Sequence, residues 1–280
     1  MDGIELIRKV RDRIEPLPLI IMITALVSHE SRNYALESGA DDFIAKPIDM
    51  DELLSRVRDG LARRAQEEPE EPNRVIKRDM DISPAFVGVV IGASTGGPPT
   101  LIEVLKNLPG NLNAAYYIVQ HAPPWMLETF SQRLQKETGM KVNIAVNGDV
   151  SEAGSIYLAP GDKHMRIEKG SYKILLDDGP KENFVRPAAD PLFRSAADAF
   201  GKYSLGIVLT GLGRDGAQGA SQIASVNGTV LVQAPETAVA PAMPNTVIQS
   251  GIDHKVVPLN MMSKTISETI FPLAEELGKD

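Results

Sequence analysis

Three side chains that could together perform acyl transfer stand in positions where strands of a sheet are predicted to end. Ser94 lies in the glycine-rich segment 91–97, and His121 and Asp215 each follow an apolar run. A serine hydroxyl becomes a nucleophile when an imidazole takes its proton, and a carboxylate holds that imidazole in the required tautomer. Because the strands of an open α/β sheet end at one edge, we expect the three groups to meet there.

Backbone N–H groups near Ser94 form the second part of the predicted site. Glycines let the backbone approach a reacting oxygen, and the start of a helix adds the positive end of its dipole. The candidate donors for an oxyanion are the N–H groups of Thr95, Gly211, Leu212 and Gly213. The sequence does not choose between them.

Each member of the predicted triad also has a simpler interpretation. Ser94 could bind a phosphate at a helix N-terminus, His121 could close a turn, and Asp215 could cap its helix. The segment 92–96 fits the G-x-S-x-G nucleophile elbow, but the chain order serine, histidine, aspartate is not that of the α/β-hydrolases. The agreement of three strand ends favours the triad.

A different class of protein is suggested by the segment 211–216. It fits G-x-G-x-x-G between a strand and a helix, with Glu236 about twenty residues later, as in dinucleotide-binding oxidoreductases. Asp215 would then place negative charge where a pyrophosphate must bind, so we favour the hydrolase. A non-enzymatic signalling adaptor is the third interpretation.

The elements that must position these groups belong to an α/β fold. Continuous apolar strands alternate with helical patterns, which is typical of a doubly wound, mostly parallel, Rossmann-like sheet. Shorter alternating strands are predicted at 156–158, 165–167 and 172–176, and a turn at 170–171 makes the last pair a small antiparallel hairpin. His164, at the start of that hairpin, is expected to be exposed or structural.

The smaller N-terminal part alternates strand and helix patterns. Strands are predicted at 19–24 and 42–45, with a helix at 28–38 between them and a final helix capped by Asp49. Two strands are few for a parallel sheet that needs both faces covered, so this unit is expected to be incomplete.

An acidic, proline-rich stretch separates the two parts. It lacks large apolar residues at its centre and cannot offset the entropy of ordering. We therefore divide the chain into a small unit at 1–64, a linker at 65–83 and a large unit at 84–277.

Composition excludes several classes of function. A net charge of −8 and a pI near 5.2 give no electrostatic case for binding nucleic acid or anionic lipid. The chain has no cysteine and its 4 histidines lie at no ligand spacing, so no metal is predicted, and no other cofactor is expected. No run is long enough for a membrane span and no signal-peptide pattern is present, so we expect a cytoplasmic protein without membrane insertion.

The segment from about residue 86 to 260 resembles the CheB family of chemotaxis protein-glutamate methylesterases. The matching motifs are 91–97, 120–124, 159–164, 186–187 with Asp190 and Phe193, 209–216 and 242–244. In that family the nucleophile, base and acid fall on Ser94, His121 and Asp215. The resemblance implies hydrolysis of glutamate methyl esters on chemoreceptors with release of methanol, deamidation of receptor glutamines as a second activity, and no cofactor.

The N-terminal unit resembles the later part of a flavodoxin-like response-regulator receiver domain. Thr24 matches the switch hydroxyl and Lys46 the phosphate-contacting lysine. The first strands, acidic pair and phosphoacceptor aspartate of a receiver are absent from this sequence, so we expect a truncated start or a fragment. A chemotaxis histidine kinase is an expected partner only if a complete receiver exists.

One residue departs from the pattern of the methylesterase family. Leu212 stands where that family usually has methionine. Its backbone N–H is unaffected, whereas side-chain packing near His121 is expected to differ.

Overall fold

The computed structural model describes residues 19–24, 40–46, 48–50, 52–58 and 84–278. The chain divides into two compact units, Met1–Asp79 and Met80–Asp280. The boundaries of the linker at 65–83 stay a prediction, because those residues lie outside the described ranges.

The described part of the first unit contains two short parallel strands, β1 (Ile21–Thr24) and β2 (Asp42–Ala45), which agree with the predicted runs. The backbone N–H of Lys46 donates to the carbonyl of Thr24 at 2.8 Å. Thr24 and Lys46 therefore lie side by side at the carboxyl ends of neighbouring strands.

A helix follows these strands at residues 52–58. The carboxylate of Asp49 accepts a hydrogen bond from the backbone N–H of Glu52 at 3.1 Å, which confirms the predicted cap. The helix predicted at 28–38 lies outside the described residues.

A seven-stranded sheet forms the centre of the second unit. In sheet order its strands are β11 (Lys255–Val257), β10 (Thr229–Gln233), β9 (Ser204–Val208), β3 (Val87–Ala93), β4 (Ala114–Gln120), β6 (Ser155–Leu158) and β5 (Lys141–Ile144). Every neighbouring pair is parallel. The central strands are buried along their whole length because both faces are covered, as the apolar runs predict.

Helices cover the two faces of this sheet. The apolar side chains of α1 (Gly97–Leu105), α2 (Pro124–Thr138) and α6 (Leu259–Leu277) pack on one face, and those of α3 (Ala189–Phe200), α4 (Ala217–Ser225) and α5 (Ala242–Gln249) pack on the other. The doubly wound architecture is thus confirmed. Strands β3 and β9 are neighbours, yet α1 and α4, which follow them, lie on opposite faces. Such a divergence opens a crevice at the carboxyl ends of the strands.

The predicted antiparallel hairpin is confirmed as β7 (His164–Ile167) and β8 (Ile174–Asp177). The strand predicted at 156–158 is not part of it, since it lies in the main sheet as β6. His164 is only 1 % exposed. Its Nδ1 accepts from the N–H of Ala188 at 3.2 Å, and its Nε2 lies 2.9 Å from the carbonyl of Pro180. The structural interpretation of His164 is therefore confirmed and the exposed one is wrong.

Candidate active site

Ser94 occupies a sharp turn between β3 and α1. Its backbone N–H donates to the carbonyl of Thr210 at 3.0 Å, and its carbonyl accepts from the N–H of Gly97 at 2.8 Å. The N-cap of α1 is Gly96, whose φ of 79° lies in the left-handed region that favours glycine. Ser94 is half-buried and lies two residues before this cap. The turn thus fixes the serine at the sheet edge.

His121 lies beside Ser94 because of the register between their strands. Ala93 is paired with Gln120, so Ser94 and His121 are the next residues on adjacent strand ends. The N–H of His121 donates to the carbonyl of Ala93 at 3.0 Å. The Oγ of Ser94 makes no hydrogen bond to any described residue, so direct contact between the serine and the imidazole stays a prediction.

Gln120 ties the two strand ends together, and the sequence analysis gave it no role. Its Nε2 donates to the carbonyls of Ser94 and His121, both at 3.0 Å. Gln120 is buried, and a Cβ atom at Gly97 would lie 1.9 Å from its Oε1. The glycine at 97 is therefore needed to leave room for the glutamine.

The backbone of the loop after β9 packs closely against Ser94. A Cβ atom at Gly211 would lie 2.8 Å from the Cβ of Ser94 and 2.1 Å from the Sδ of Met243. The N–H of Gly211 donates to the carbonyl of Ala240 at 2.8 Å. Because its N–H is already used in this bond, Gly211 is a less suitable oxyanion donor than the other candidates. The lack of a side chain at Gly211 lets the backbone of this loop approach Ser94 closely.

Three other candidate donors remain unpaired. Among the residues that the structure describes, the N–H groups of Thr95, Leu212 and Gly213 make no hydrogen bond. All three residues are exposed. They could therefore donate to a group bound beside Ser94.

A short hydrogen bond joins the predicted base to the predicted acid. The Nε2 of His121 lies 2.8 Å from Oδ2 of Asp215, although the two residues are 94 positions apart in the chain. Since a carboxylate accepts hydrogen bonds, this contact assigns the ring proton of the neutral imidazole to Nε2. Nδ1 is then the nitrogen that can accept a proton.

Asp215 is held by further donors that converge on its carboxylate. It is only 2 % exposed. The N–H of Ala189 donates to Oδ2 at 2.6 Å, and Oδ1 accepts from the N–H groups of Asp190 and Gly216 at 3.1 and 3.0 Å. The first two donors belong to the start of α3, where the helix dipole favours negative charge.

These contacts keep Asp215 ionised. Burial raises the pKa of its carboxyl group, but the hydrogen bond from His121 and those from backbone N–H groups, led by Ala189, outweigh burial and lower the pKa below 3.8. A negatively charged Asp215 can hold the imidazole of His121 and stabilise its protonated form.

A second buried carboxylate, Asp190, lies beside the first and is 1 % exposed. Burial raises the pKa of Asp190, and the neighbouring charge of Asp215 raises it further. Its Oδ1 accepts from the N–H of Gly219 at 2.8 Å. The side chain of Asn183 lies between the two carboxylates and donates to both. Asp190 stands in one of the quoted motifs, whereas no sequence signal indicates Asn183.

Two features are absent from the residues that the structure describes. In the described ranges no cluster of histidine, aspartate and glutamate side chains could hold a metal ion. Over the same ranges the structure has no helix with the length and apolar character needed to cross a bilayer.

The fold and the site together define a class of protein. A doubly wound α/β unit whose strand ends present a serine, a histidine and an ionised buried aspartate has the arrangement of a serine-type hydrolase.

Comparison with known proteins agrees with this class and narrows it. The profile of the CheB methylesterase family matches residues 89–266, and that of the response regulator receiver domain matches residues 1–58. A protein-glutamate methylesterase/protein-glutamine glutaminase from Pyrococcus abyssi is 37% identical over 96% of this chain and 78% of its own length. A second, from Caulobacter vibrioides, is 36% identical over 95% of this chain and 82% of its own length.

The structural comparison gives the same result. The crystal structure of the Thermotoga maritima CheB methylesterase catalytic domain aligns with a TM-score of 0.63 and 36% identity, covering 66% of this chain and 99% of that domain. The chain belongs to the CheB methylesterase family, with a receiver-domain match at its N-terminus.

Proposed function

We propose that this protein hydrolyses glutamate methyl esters on chemoreceptors, with Ser94 as nucleophile, His121 as base and Asp215 as the residue that orients the base. The observation that carries the proposal is the 2.8 Å hydrogen bond between His121 and buried Asp215 at the strand end next to Ser94. The names of the relatives support the ester of a protein glutamate as the substrate.

The proposed first step forms an ester between the enzyme and the substrate. Oγ of Ser94 attacks the ester carbonyl carbon while Nδ1 of His121 takes the hydroxyl proton. The tetrahedral intermediate then collapses, the bond to the methoxy group breaks, and the proton on Nδ1 leaves with methanol. Asp215 stabilises the imidazolium throughout and is not itself protonated.

The proposed second step releases the product. Nδ1 of His121 takes a proton from water, the water oxygen attacks the acyl carbon, and the bond to Oγ of Ser94 breaks as the hydroxyl is protonated again. The products are a glutamate side chain and free enzyme. The N–H of Thr95 and those of Leu212 and Gly213 are the proposed donors to the oxyanion in both steps.

Deamidation of receptor glutamines is a proposed second activity of the same site. The relatives are named for both reactions. The acyl-enzyme is identical in the two cases, and only the leaving group changes, from methanol to ammonia. No additional residue is needed.

The dinucleotide alternative at 211–216 is disfavoured by the contacts of that loop. The N–H of Gly216 donates to Asp215 at 3.0 Å and that of Gly219 donates to Asp190 at 2.8 Å. Two N–H groups at the start of α4 are thus taken by carboxylates, and both carboxylates would repel a pyrophosphate.

A chemotaxis histidine kinase is a proposed partner only where a complete receiver exists, because the phosphoacceptor aspartate is absent from this sequence. In a complete receiver, Thr24 and Lys46, which end adjacent strands, are the proposed contacts for the phosphoryl group. Because the methylated segments of chemoreceptors lie in the cytoplasm, we place the protein there.

The proposed function is tested with a chemoreceptor cytoplasmic fragment carrying isotopically labelled glutamate methyl esters. The purified chain is expected to release labelled methanol and to bind neither NAD nor NADP in a titration. Absence of methanol release from folded protein would leave a signalling adaptor as the remaining interpretation. Binding of NAD or NADP would instead favour the oxidoreductase.

A further inference from the structure

The turn that carries Asn183 has a defined geometry. Glu182 and Val185 exchange two backbone hydrogen bonds, from the N–H of Glu182 at 3.2 Å and from that of Val185 at 3.0 Å. The two residues between them, Asn183 and Phe184, have φ values of 51° and 67°. This is a two-residue hairpin turn with both central residues left-handed, where asparagine is favoured at the first position.

The segment around this turn is anchored on both sides. His164 contacts the carbonyl of Pro180 and the N–H of Ala188, which flank the turn. The carboxylate of Glu182 also accepts from Arg194 of α3 at 2.6 and 2.8 Å. Asn183 is therefore held at a fixed place next to the start of α3.

The side-chain amide of Asn183 is saturated by charged groups. Its Nδ2 donates to Oδ2 of Asp190 at 2.7 Å and to Oδ1 of Asp215 at 3.2 Å. Its Oδ1 accepts from Nε of Arg214 at 3.1 Å. A flipped amide would bring its oxygen against two carboxylates and its NH₂ against the N–H of Arg214. Arg214 and the two carboxylates thus permit only one orientation.

We propose that Asn183 is a positioning residue for the reaction, which holds the carboxylate of Asp215 in place for His121 and separates it from the carboxylate of Asp190. This inference rests on the proposed function. The NH₂ group of Asn183 bridges the two buried carboxylates, at 2.7 Å from Oδ2 of Asp190 and 3.2 Å from Oδ1 of Asp215. An Asp215 that turned toward other donors would release the imidazole of His121, and the serine would lose its base.

The experiment compares two substitutions at this position. Asn183→Ala removes the donor. Asn183→Asp keeps the size and the preference for the left-handed turn but replaces a donor by a third carboxylate. Asn113→Ala is the matched control, because Asn113 also donates through Nδ2, to the carbonyl of Ala85 at 3.0 Å. Asn113 precedes β4 and so lies at the amino-terminal ends of the strands, whereas the site lies at their carboxyl ends.

Two readouts distinguish positioning from a structural role. The first is the split between kcat and KM for methyl-ester hydrolysis. The second, which needs no activity, is the far-downfield proton resonance of the His121 Nε2–H that donates to Asp215. We expect Asn183→Ala to lower kcat by about 10-fold to 100-fold with KM unchanged, and to broaden or shift this resonance.

The outcome for the aspartate variant decides the question. A positioning role through donation predicts that Asn183→Asp loses at least as much kcat as Asn183→Ala. Retention of activity and of the resonance by Asn183→Asp would show that Asn183 serves only the turn, and the inference would be wrong. If the wild type released no methanol, the proposed function would fail, whereas the resonance would still test the positioning of Asp215.

A separate observation concerns the other residue of the turn. Phe184 is 91 % exposed, and its φ of 67° lies in a region that disfavours large side chains. Glycine would fit this position better and would expose no apolar surface. Two more apolar residues near the site are exposed: Trp125, a few positions after His121, and Leu212, a few positions before Asp215.

We also propose that Phe184 contacts the protein segment that carries the scissile ester, outside the residues that perform the chemistry. Hydrolysis of a small ester, which lacks that segment, should not depend on Phe184. The matched control is Phe271→Ala, which removes a partly exposed aromatic residue from α6.

Phe184→Gly tests this contact with two substrates. The melting temperature should stay the same or rise, since glycine accepts the left-handed backbone. KM for the methylated receptor fragment should rise by about 10-fold while kcat/KM for a small glutamate methyl ester stays unchanged. An equal effect on both substrates, or no effect on the receptor fragment, would refute the contact. A wild type inactive on both substrates would instead count against the proposed function.

Discussion

Replacement of Asp215 by asparagine changes one carboxylate oxygen of the proposed triad into an NH₂ group. Oδ1 accepts from three donors, whereas Oδ2 accepts from His121 and the N–H of Ala189. The NH₂ group therefore takes the place of Oδ2, where it meets fewer donors. There it donates to Nε2 of His121, which must become an acceptor, and the ring proton moves to Nδ1.

The expected loss of activity follows from that tautomer. With Nδ1 protonated, His121 cannot take the proton of Ser94, and an acid-to-amide change of this kind in a serine protease lowers kcat by about 10⁴-fold. The N–H of Ala189 loses its acceptor, and one buried unpaired donor costs about 1–3 kcal/mol. For a unit of this size each kcal/mol lowers the melting temperature by about 2–4 °C.

The assay is labelled-methanol release under saturating substrate, together with a thermal melt of the same preparation. The control is Asp149→Asn, because Asp149 also accepts from a backbone N–H, that of Val146 at 2.9 Å, in a loop far along the chain from the triad. It should leave kcat unchanged. A folded Asp215→Asn variant with kcat within about tenfold of the wild type would refute the role given to this hydrogen bond.

Two further predictions follow from the packing and charge of the site. Gly97→Ala would place a methyl group 1.9 Å from Oε1 of Gln120 and displace the glutamine that ties the two strand ends together. We expect kcat to fall about tenfold or more and the free energy of unfolding to fall by about 1–3 kcal/mol. Gly110→Ala, where the added carbon meets nothing within 4 Å, should change neither quantity. Unchanged kcat in folded Gly97→Ala would contradict the role of Gln120. Because the folded-state pKa of Asp215 is lowered below 3.8, its charge stabilises the fold above that value, and the contribution is lost as the pH falls through the lower folded value. The stability advantage of wild type over Asp215→Asn should therefore narrow in thermal melts below about pH 4, and a gap that widens in acid would contradict this assignment.

The central strands could be predicted because burial on both faces requires continuous apolar residues. The runs that became β3, β4 and β9 also located Ser94, His121 and Asp215, since each residue lies at or shortly after a strand end. The edge strands β5 and β11 were not predicted. They have only 4 and 3 residues and are partly exposed, so their sequences carry no continuous apolar run.

The supporting contacts of the site depend on residues distant in sequence, which a local pattern cannot reveal. Asn183 reaches Asp215 across 32 positions through a turn, and nothing in its neighbourhood marks it. The N–H of Gly211 donates to the carbonyl of Ala240, a contact that the local sequence does not indicate. The burial of His164 likewise depends on the later segment around Pro180.

The most direct test of the proposed mechanism is methanol release by Ser94→Ala. Ser94 is half-buried and its Oγ makes no hydrogen bond to a described residue, so the variant should fold and melt like the wild type. We predict that it releases methanol from the methylated receptor fragment at least about 10⁴-fold more slowly than the wild type. A folded Ser94→Ala protein that kept most of the wild-type rate would show that Ser94 is not the nucleophile and would contradict the mechanism.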